Sequence, residues 1–390
     1  MDERTGLPVV GMVGAGQLAR MTHQAGIPLG QSLRLLADSL DDGAALVARD
    51  VVVGDYHSLE DLLRFAEGCD VVTFDHEHVA NDHVRALAEV TSVQPSADAL
   101  RYAQDKAQMR RRLTELGVAA MPWIDLSAEA DPRTSLLSFG GRVGWPLVLK
   151  ATTGGYDGKG VWVVDSIDEA QPLLDSGTSL LAEAKVEIKR ELAAVVARSP
   201  FGQGAAWPVV ETVQRDGICV EVIAPAPGLD SDRADEAQAL ALRIAVELGV
   251  TGVLAVELFE TSSGALLVNE LAMRPHNSGH WSIEGSRTSQ FEQHLRAVLD
   301  YPLGATTLTA PVVVMANLLA GADDVIPKRI DERVHHCMAR WPDVKIHLYG
   351  KGFRPGRKVG HVTALGEDLA EVRGRAVAAA DYLVNGDVTA

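Results

Sequence analysis

Strand-like and helix-like hydrophobic patterns alternate through the first hundred residues, and this alternation limits the fold more than any other feature. Leu7 to Val13 is a short apolar run that ends in glycines. Gln17 to Gly26 has helical spacing, and Ser32–Ala37 and Asp50–Val53 read as strands. Ser58 to Glu67 reads as a helix, with Ser58 as N-cap and Asp61 at the capping-box position. Asp70 to Phe74 is a buried-strand pattern, and Asn81 to Glu89 is a helix. Such an α/β order predicts a parallel sheet covered on both faces, a Rossmann-like unit over residues 1–104.

The texture then changes. Ala97 to Leu116 reads as one helix, rich in Arg and Lys, that bridges into a second unit. Beyond Trp145 the strands come in hairpin-like pairs. Leu147–Lys150 and Val161–Val164 flank a glycine-dense loop, and Gly252–Phe259 and Ala265–Glu270 flank a turn at Thr261–Gly264. At 390 residues the chain has room for two to four domains. The net charge of −17 argues against nucleic acid or an anionic membrane as partner. An anionic substrate must therefore meet a local basic pocket. Cys69, Cys219 and Cys337 are far apart and odd in number, which fits a reducing cytoplasm better than a zinc site or a disulfide framework. The polar start carries no signal-peptide pattern, and no apolar run is long enough to span a membrane.

Five constellations carry chemistry. Gly14-Ala15-Gly16-Gln17-Leu18-Ala19 follows a strand and opens a helix, with Asp38 where a ribose partner of a dinucleotide would sit. A tight turn explains the glycines as well, and a phosphate of another ligand fits better than a nicotinamide. Lys150 with Gly154–Gly160 offers backbone N–H groups and two ammonium groups to phosphates. The loop lies between strands, so it is expected to act as a lid rather than as a Walker loop. Glu257 and Glu270 are brought together by their hairpin, with Asn269 beside the second; paired carboxylates suit Mg²⁺ shared with nucleotide phosphates. Arg274-Pro275-His276-Asn277-Ser278-Gly279-His280-Trp281 is dense in groups that bind anions or move protons. Lys351, Arg354, Arg357, Lys358 and His361 form a basic cluster opposite in sign to the whole chain.

Together these segments resemble the ATP-grasp superfamily, and most closely its N5-carboxyaminoimidazole ribonucleotide synthetase branch. Ser289-Gln290-Phe291-Glu292 and Arg354-Pro355-Gly356-Arg357-Lys358-Val359-Gly360-His361 extend the match over nearly the whole chain. The resemblance implies an α+β ATP-grasp domain over 105–305 with a lid at about 134–186, and a small C-terminal domain over 306–390. It implies ATP held by Lys106, Lys150, Gly155, Tyr156, Asp157, Gly158, Lys159, Gly160, the hinge Glu183-Ala184-Lys185-Val186, Glu191, Gln214, Asn269 and Glu270. Glu183 and the Val186 backbone would meet adenine, and Glu191 the ribose. Glu257 and Glu270 would hold Mg²⁺ or Mn²⁺. Aminoimidazole ribonucleotide would lie against Gln17, Glu77, Tyr156, Asp157, Asn277 and Ser278, its phosphate on Lys351, Arg357 and Lys358. Arg274, His276 and Lys351 would act at the reaction centre, where bicarbonate and ATP give carboxyphosphate. A cytoplasmic homodimer is implied as well. Three positions depart from the pattern: Lys106 in place of Arg, Gln214 in place of His, and Asp75 in place of Glu.

Overall fold

The structure, a computed structural model, describes residues 1–155, 158–321, 330–352 and 354–386. The first hundred residues build one sheet from β1 (Val9–Val13), β2 (Ser32–Ala37), β3 (Asp50–Val53), β4 (Val71–Phe74) and β5 (Ser92–Val93). Its order is β3-β2-β1-β4-β5, and every pairing is parallel. All residues of β1 and β4 are buried, as central parallel strands covered on both faces require. The Ser58 hydroxyl caps its helix by accepting from Asp61 N.

The single helix expected over Ala97–Leu116 is instead two, Ala97–Gln104 and Lys106–Glu115. Asp105 between them is extended, and its carboxylate accepts from Ala107 N at 2.9 Å and Gln108 N at 3.0 Å. A capping carboxylate offers the backbone an alternative to helical continuation, and here it wins over the helix-period pattern.

A second sheet contains β6 (Trp123–Asp125), β7 (Leu147–Ala151), β8 (Val161–Val164) and β9 (Leu180–Ala184) in the antiparallel order β6-β9-β7-β8. Helices Pro132–Val143 and Ile167–Leu174 complete a small core around Leu136, Phe139, Leu147 and Leu149. This sheet carries the glycine-rich loop between β7 and β8.

The third sheet is the frame. It holds β10 (Ile188–Arg198), β11 (Gly204–Ala206), β12 (Val210–Arg215), β13 (Ile218–Ala224), β14 (Gly252–Thr261), β15 (Leu266–Ala272), β16 (Val312–Leu319), β17 (Lys345–Leu348) and β18 (Lys358–Gly366). The path is β15-β14-β10-β12-β13-β16-β18-β17, with β11 beside β10. Hydrogen bonding therefore runs without a break from β13 to β16, across the position where the sequence suggests a boundary at 305/306.

The parallel sheet is joined to this frame by helix Gln290–Val298. His294, fully buried, accepts from Val253 N at Nδ1 (3.2 Å), so its proton sits on Nε2, 2.8 Å from Thr73 Oγ1 on β4.

Candidate active site

The site starts from one register. On the β14–β15 hairpin Glu257 stands directly opposite Glu270, with the turn closed by Gly264 N donating to Thr261 O. The register slips just after that pair, so Asn269 is the extra residue of a bulge. A bulge re-aims side chains: Asn269 Oδ1 accepts from Lys150 Nζ at 2.9 Å, while its neighbour Glu270 pairs with Lys106 Nζ. A carboxylate beside a second negative charge holds its proton more tightly. Desolvation by burial and the Glu270 charge both raise the pKa of Glu257.

Lys150 lies on β7 and Lys106 at the start of its helix, so two elements deliver ammonium groups to one hairpin. Behind them sits a network that the sequence reading did not find. Arg110 is 1 % exposed and Glu183 2 %. Arg110 Nε donates to Glu183 Oε1 at 2.6 Å, and its two Nη groups donate to Val268 O (2.9 Å) and Asn269 O (2.7 Å). The other Glu183 oxygen is 2.8 Å from Lys150 Nζ. Burial raises the Glu183 pKa, but Arg110 and Lys150 outweigh it and keep the carboxylate ionised. Both Glu183 oxygens are thus engaged by cations of the chain itself, so this carboxylate also anchors Arg110 and Lys150. Arg110 was legible only as the i+4 neighbour of Lys106, one turn along the same helix face.

Glu191 on β10 lies next to β12 and is hydrogen-bonded by the Gln214 side chain. Desolvation raises its pKa and the Gln214 bond lowers it, with a net rise. Gln214 is therefore placed to orient Glu191. In the glycine loop, a Cβ on Gly155 would stand 2.7 Å from Lys159 O, and Gly158 and Gly160 have φ of +75° and +74°. Gly158 lies against Gly217 of the β12–β13 turn. Tyr156 and Asp157 are outside the described residues.

The reaction-centre candidates follow β15. Glu77 accepts from Met273 N at 2.7 Å and lies 3.4 Å from Arg274 Nη2. His276 Nδ1 is 2.9 Å from Ser278 Oγ and accepts from Ser278 N, while its Nε2 faces Glu257 at 3.3 Å. The side-chain amide of Asn277 is spent on a reciprocal pair with Asn317 (3.0 and 2.9 Å). The structure thus makes Asn277 a tie between the segment and β16. Gln17 Oε1 accepts from Lys351 Nζ, joining the first sheet to the basic stretch. Lys358 opens β18, and Arg357 donates to Gly352 O.

One expectation is overturned. The helix start after Gly14-Ala15-Gly16 holds no room for a ligand phosphate. The Asp75 carboxylate accepts there from Gly16 N at 2.5 Å and Ala19 N at 3.0 Å. A Cβ on Gly16 would lie 2.5 Å from Asp75 Oδ2, so that glycine serves the chain's own anion.

Comparisons with known proteins agree with this geometry. Residues 7–104 match the ribonucleotide synthetase preATP-grasp domain, 111–291 the ATP-grasp domain and 313–375 the phosphoribosylaminoimidazole carboxylase C-terminal domain. The N5-carboxyaminoimidazole ribonucleotide synthase of Mycobacterium tuberculosis is 58% identical over 384 residues, covering 97% of this chain and 88% of that one. The crystal structure of the synthetase from Thermus thermophilus is 36% identical with a TM-score of 0.85, covering 98% of this chain and 99% of that one. The Aspergillus clavatus synthase, solved with ADP and 5-aminoimidazole ribonucleotide, is 31% identical with a TM-score of 0.87, covering 97% and 99%. On fold, site and these relatives together, the chain belongs to the N5-carboxyaminoimidazole ribonucleotide synthase family of ATP-grasp proteins.

Proposed function

We propose that the chain is an ATP-grasp ligase that uses ATP and bicarbonate to carboxylate the amine of 5-aminoimidazole ribonucleotide, a step of purine biosynthesis. The observation that carries this reading is the set of charged groups gathered around one hairpin. The Glu257–Glu270 pair faces Lys106 and Lys150 on one side and His276 on the other, and Glu77 ties Arg274 beside it.

The paired, oxygen-only donors fit Mg²⁺ or Mn²⁺: burial and the neighbouring Glu270 charge raise the pKa of Glu257, and a divalent ion between the two carboxylates would relieve that repulsion. Glu257 and Glu270 would hold the ion, which would spread the charge that builds on a transferring phosphoryl group. The chain's own groups do the rest. Lys150, fixed by Glu183 and Asn269, and Lys106 are placed to neutralise nucleotide phosphates. Glu191, steadied by Gln214, suits ribose hydroxyls.

A bicarbonate oxygen forms a bond to the γ-phosphorus as the bond to the bridging β–γ oxygen breaks, releasing ADP. The resulting carboxyphosphate separates into CO₂ and phosphate. The substrate amine attacks CO₂ and loses a proton. Two bases are conceivable, His276 and the released phosphate. His276 Nδ1 is occupied by Ser278 and its Nε2 faces Glu257, so the phosphate fits better. Arg274, held by Glu77, is placed to retain that phosphate. Lys351, Arg357 and Lys358 would take the ribonucleotide phosphate.

The test is ADP formation with Mg²⁺, ATP and bicarbonate, with and without the ribonucleotide. ADP release that rises sharply only on adding it is expected. No response to the ribonucleotide removes the named reaction. A cytoplasmic homodimer completes the reading. Three free cysteines support the compartment, and no helix among the described residues is long and apolar enough to cross a membrane. A monomer mass by light scattering removes the dimer.

A further inference from the structure

Behind His276 lies a layer of fully buried polar side chains that the reaction scheme does not use. Gln290 comes first. It is 0 % exposed, and its Oε1 accepts from His276 N at 2.9 Å while its Nε2 donates to His276 O at 2.7 Å. One amide thus grips both backbone groups of His276. A glutamine amide turned over would place oxygen against oxygen and N–H against N–H, and lose both bonds.

What holds the amide the right way round is His280. Its Nδ1 lies 2.9 Å from Gln290 Nε2, and the ring is wholly buried. An amide nitrogen only donates, so Nδ1 must be bare. A neutral imidazole then carries its hydrogen on Nε2. That Nε2–H is buried and has no partner in the chain. The ring centroid of His361 on β18 is 5.2 Å away, and His361 Nε2 is buried and unpartnered too. Thr363 Oγ1, two residues along the same strand and hence on the same face, is a third such atom. The other His361 nitrogen is fixed at 2.7 Å from the buried Tyr349 hydroxyl. Buried polar groups are almost always satisfied, and an internal water with two or more polar partners is the ordinary means. Water accepts from His280 Nε2–H and either donates to or accepts from His361 Nε2, so it suits both tautomers of His361.

We propose that His280 is a positioning residue for His276: its bare Nδ1 locks the Gln290 amide clamp, and its Nε2–H is anchored to β18 through an internal water shared with His361. The strand that begins with Lys358 is thereby coupled to the backbone of the reaction-centre segment. The inference rests on the reading of His276 as part of that centre.

The test uses the full chain. H280F keeps the bulk of the ring and removes both nitrogens, whereas H280N keeps an acceptor near the Nδ1 position. For H280F, kcat of ribonucleotide-dependent ADP formation should fall about 100-fold, with both KM values within about threefold of wild type. H280N should restore most of the loss. Equal losses in both variants, or a change confined to KM, overturn the assignment. The second measurement needs no variant. In ¹⁵N-histidine-labelled wild type, the His280 ring should show a bare Nδ1 and a protonated Nε2 by NMR. A ring protonated at Nδ1 overturns the clamp, even where H280F does not fold. If wild type gives no ribonucleotide-dependent ADP, the functional reading fails by itself, and the tautomer still decides the clamp.

Discussion

Replacing Arg110 with Met should expose how far the nucleotide end of the site depends on a residue behind it. The guanidinium is 1 % exposed and gives three hydrogen bonds, to Glu183 Oε1, Val268 O and Asn269 O. Met fills similar volume and leaves those three acceptors without Arg110. Removing one member of a buried ion pair costs about 3–5 kcal/mol. Lys150 still reaches the second Glu183 oxygen at 2.8 Å, so the low end, about 3 kcal/mol, is expected. Lysine at 110 should recover less than half of that loss, because one ammonium cannot reproduce a planar fork that serves a carboxylate and two carbonyls. The assay is urea unfolding followed by tryptophan fluorescence, with ATP affinity measured by calorimetry. Freed from its shared partner, Lys150 is pulled toward Glu183, and ATP binding should weaken by about tenfold, the scale of one charge-assisted hydrogen bond. The double variant R110M/E183Q should be milder than the sum of the singles by at least about 1 kcal/mol. Strict additivity, or R110M as stable as wild type, would refute the network as described.

Glu270→Gln should cut ADP formation at least about 100-fold, because one of two carboxylates proposed to share a divalent ion is gone; a near-normal rate at ordinary Mg²⁺ would remove the assignment. Gly155→Ala puts a Cβ 2.7 Å from Lys159 O, and the reshaped loop should raise the Kd for ATP about tenfold, the scale of one phosphate hydrogen bond. An unchanged Kd means that the loop amides do not contribute. Stability should also fall with acid. Burial pushes the His294 pKa down from 6.5 to about 4. Between those values the unfolded chain binds more protons than the folded one, so stability rises with pH across the window and is lost as pH falls. The loss from this group approaches about 3 kcal/mol below the window. His294→Gln should show a shallower acid limb in chemical denaturation; equal slopes would count against it.

Most of the scaffold was legible because its signals are local. Gln17–Gly26, Ser32–Ala37 and Asp50–Val53 were read with the bounds the structure shows, since hydrophobic periodicity and flanking glycines are short-range patterns. The opposition of Glu257 and Glu270 followed from a single hairpin. The split at Asp105 was missed because the apolar spacing on both sides continues in phase, and only a cap breaks it. The structural partners of Glu183 and Asn277 were not legible for another reason. Their partners, Arg110 and Asn317, are 73 and 40 residues away, and nothing local tells a carboxylate that faces a ligand from one that faces an arginine. The same holds for Asp75, whose partners lie 59 and 56 residues upstream.

The unbroken ladder from β13 to β16 has a mechanical corollary. Strands β14 and β15, with the paired carboxylates, and β18, with Lys358, belong to one hydrogen-bonded lamina. The glycine loop hangs from a different, four-stranded sheet. A swing of that smaller sheet can change the distance from loop to carboxylates without altering the distance from carboxylates to the basic strand. On the proposed function, the molecule would have a stationary jaw that carries both ends of the acceptor site and a separate jaw for the nucleotide. Cutting the chain before β16 would not release an independent module. It would strip the outer wall from the stationary jaw and leave β13 as a bare edge, open to pairing with another chain.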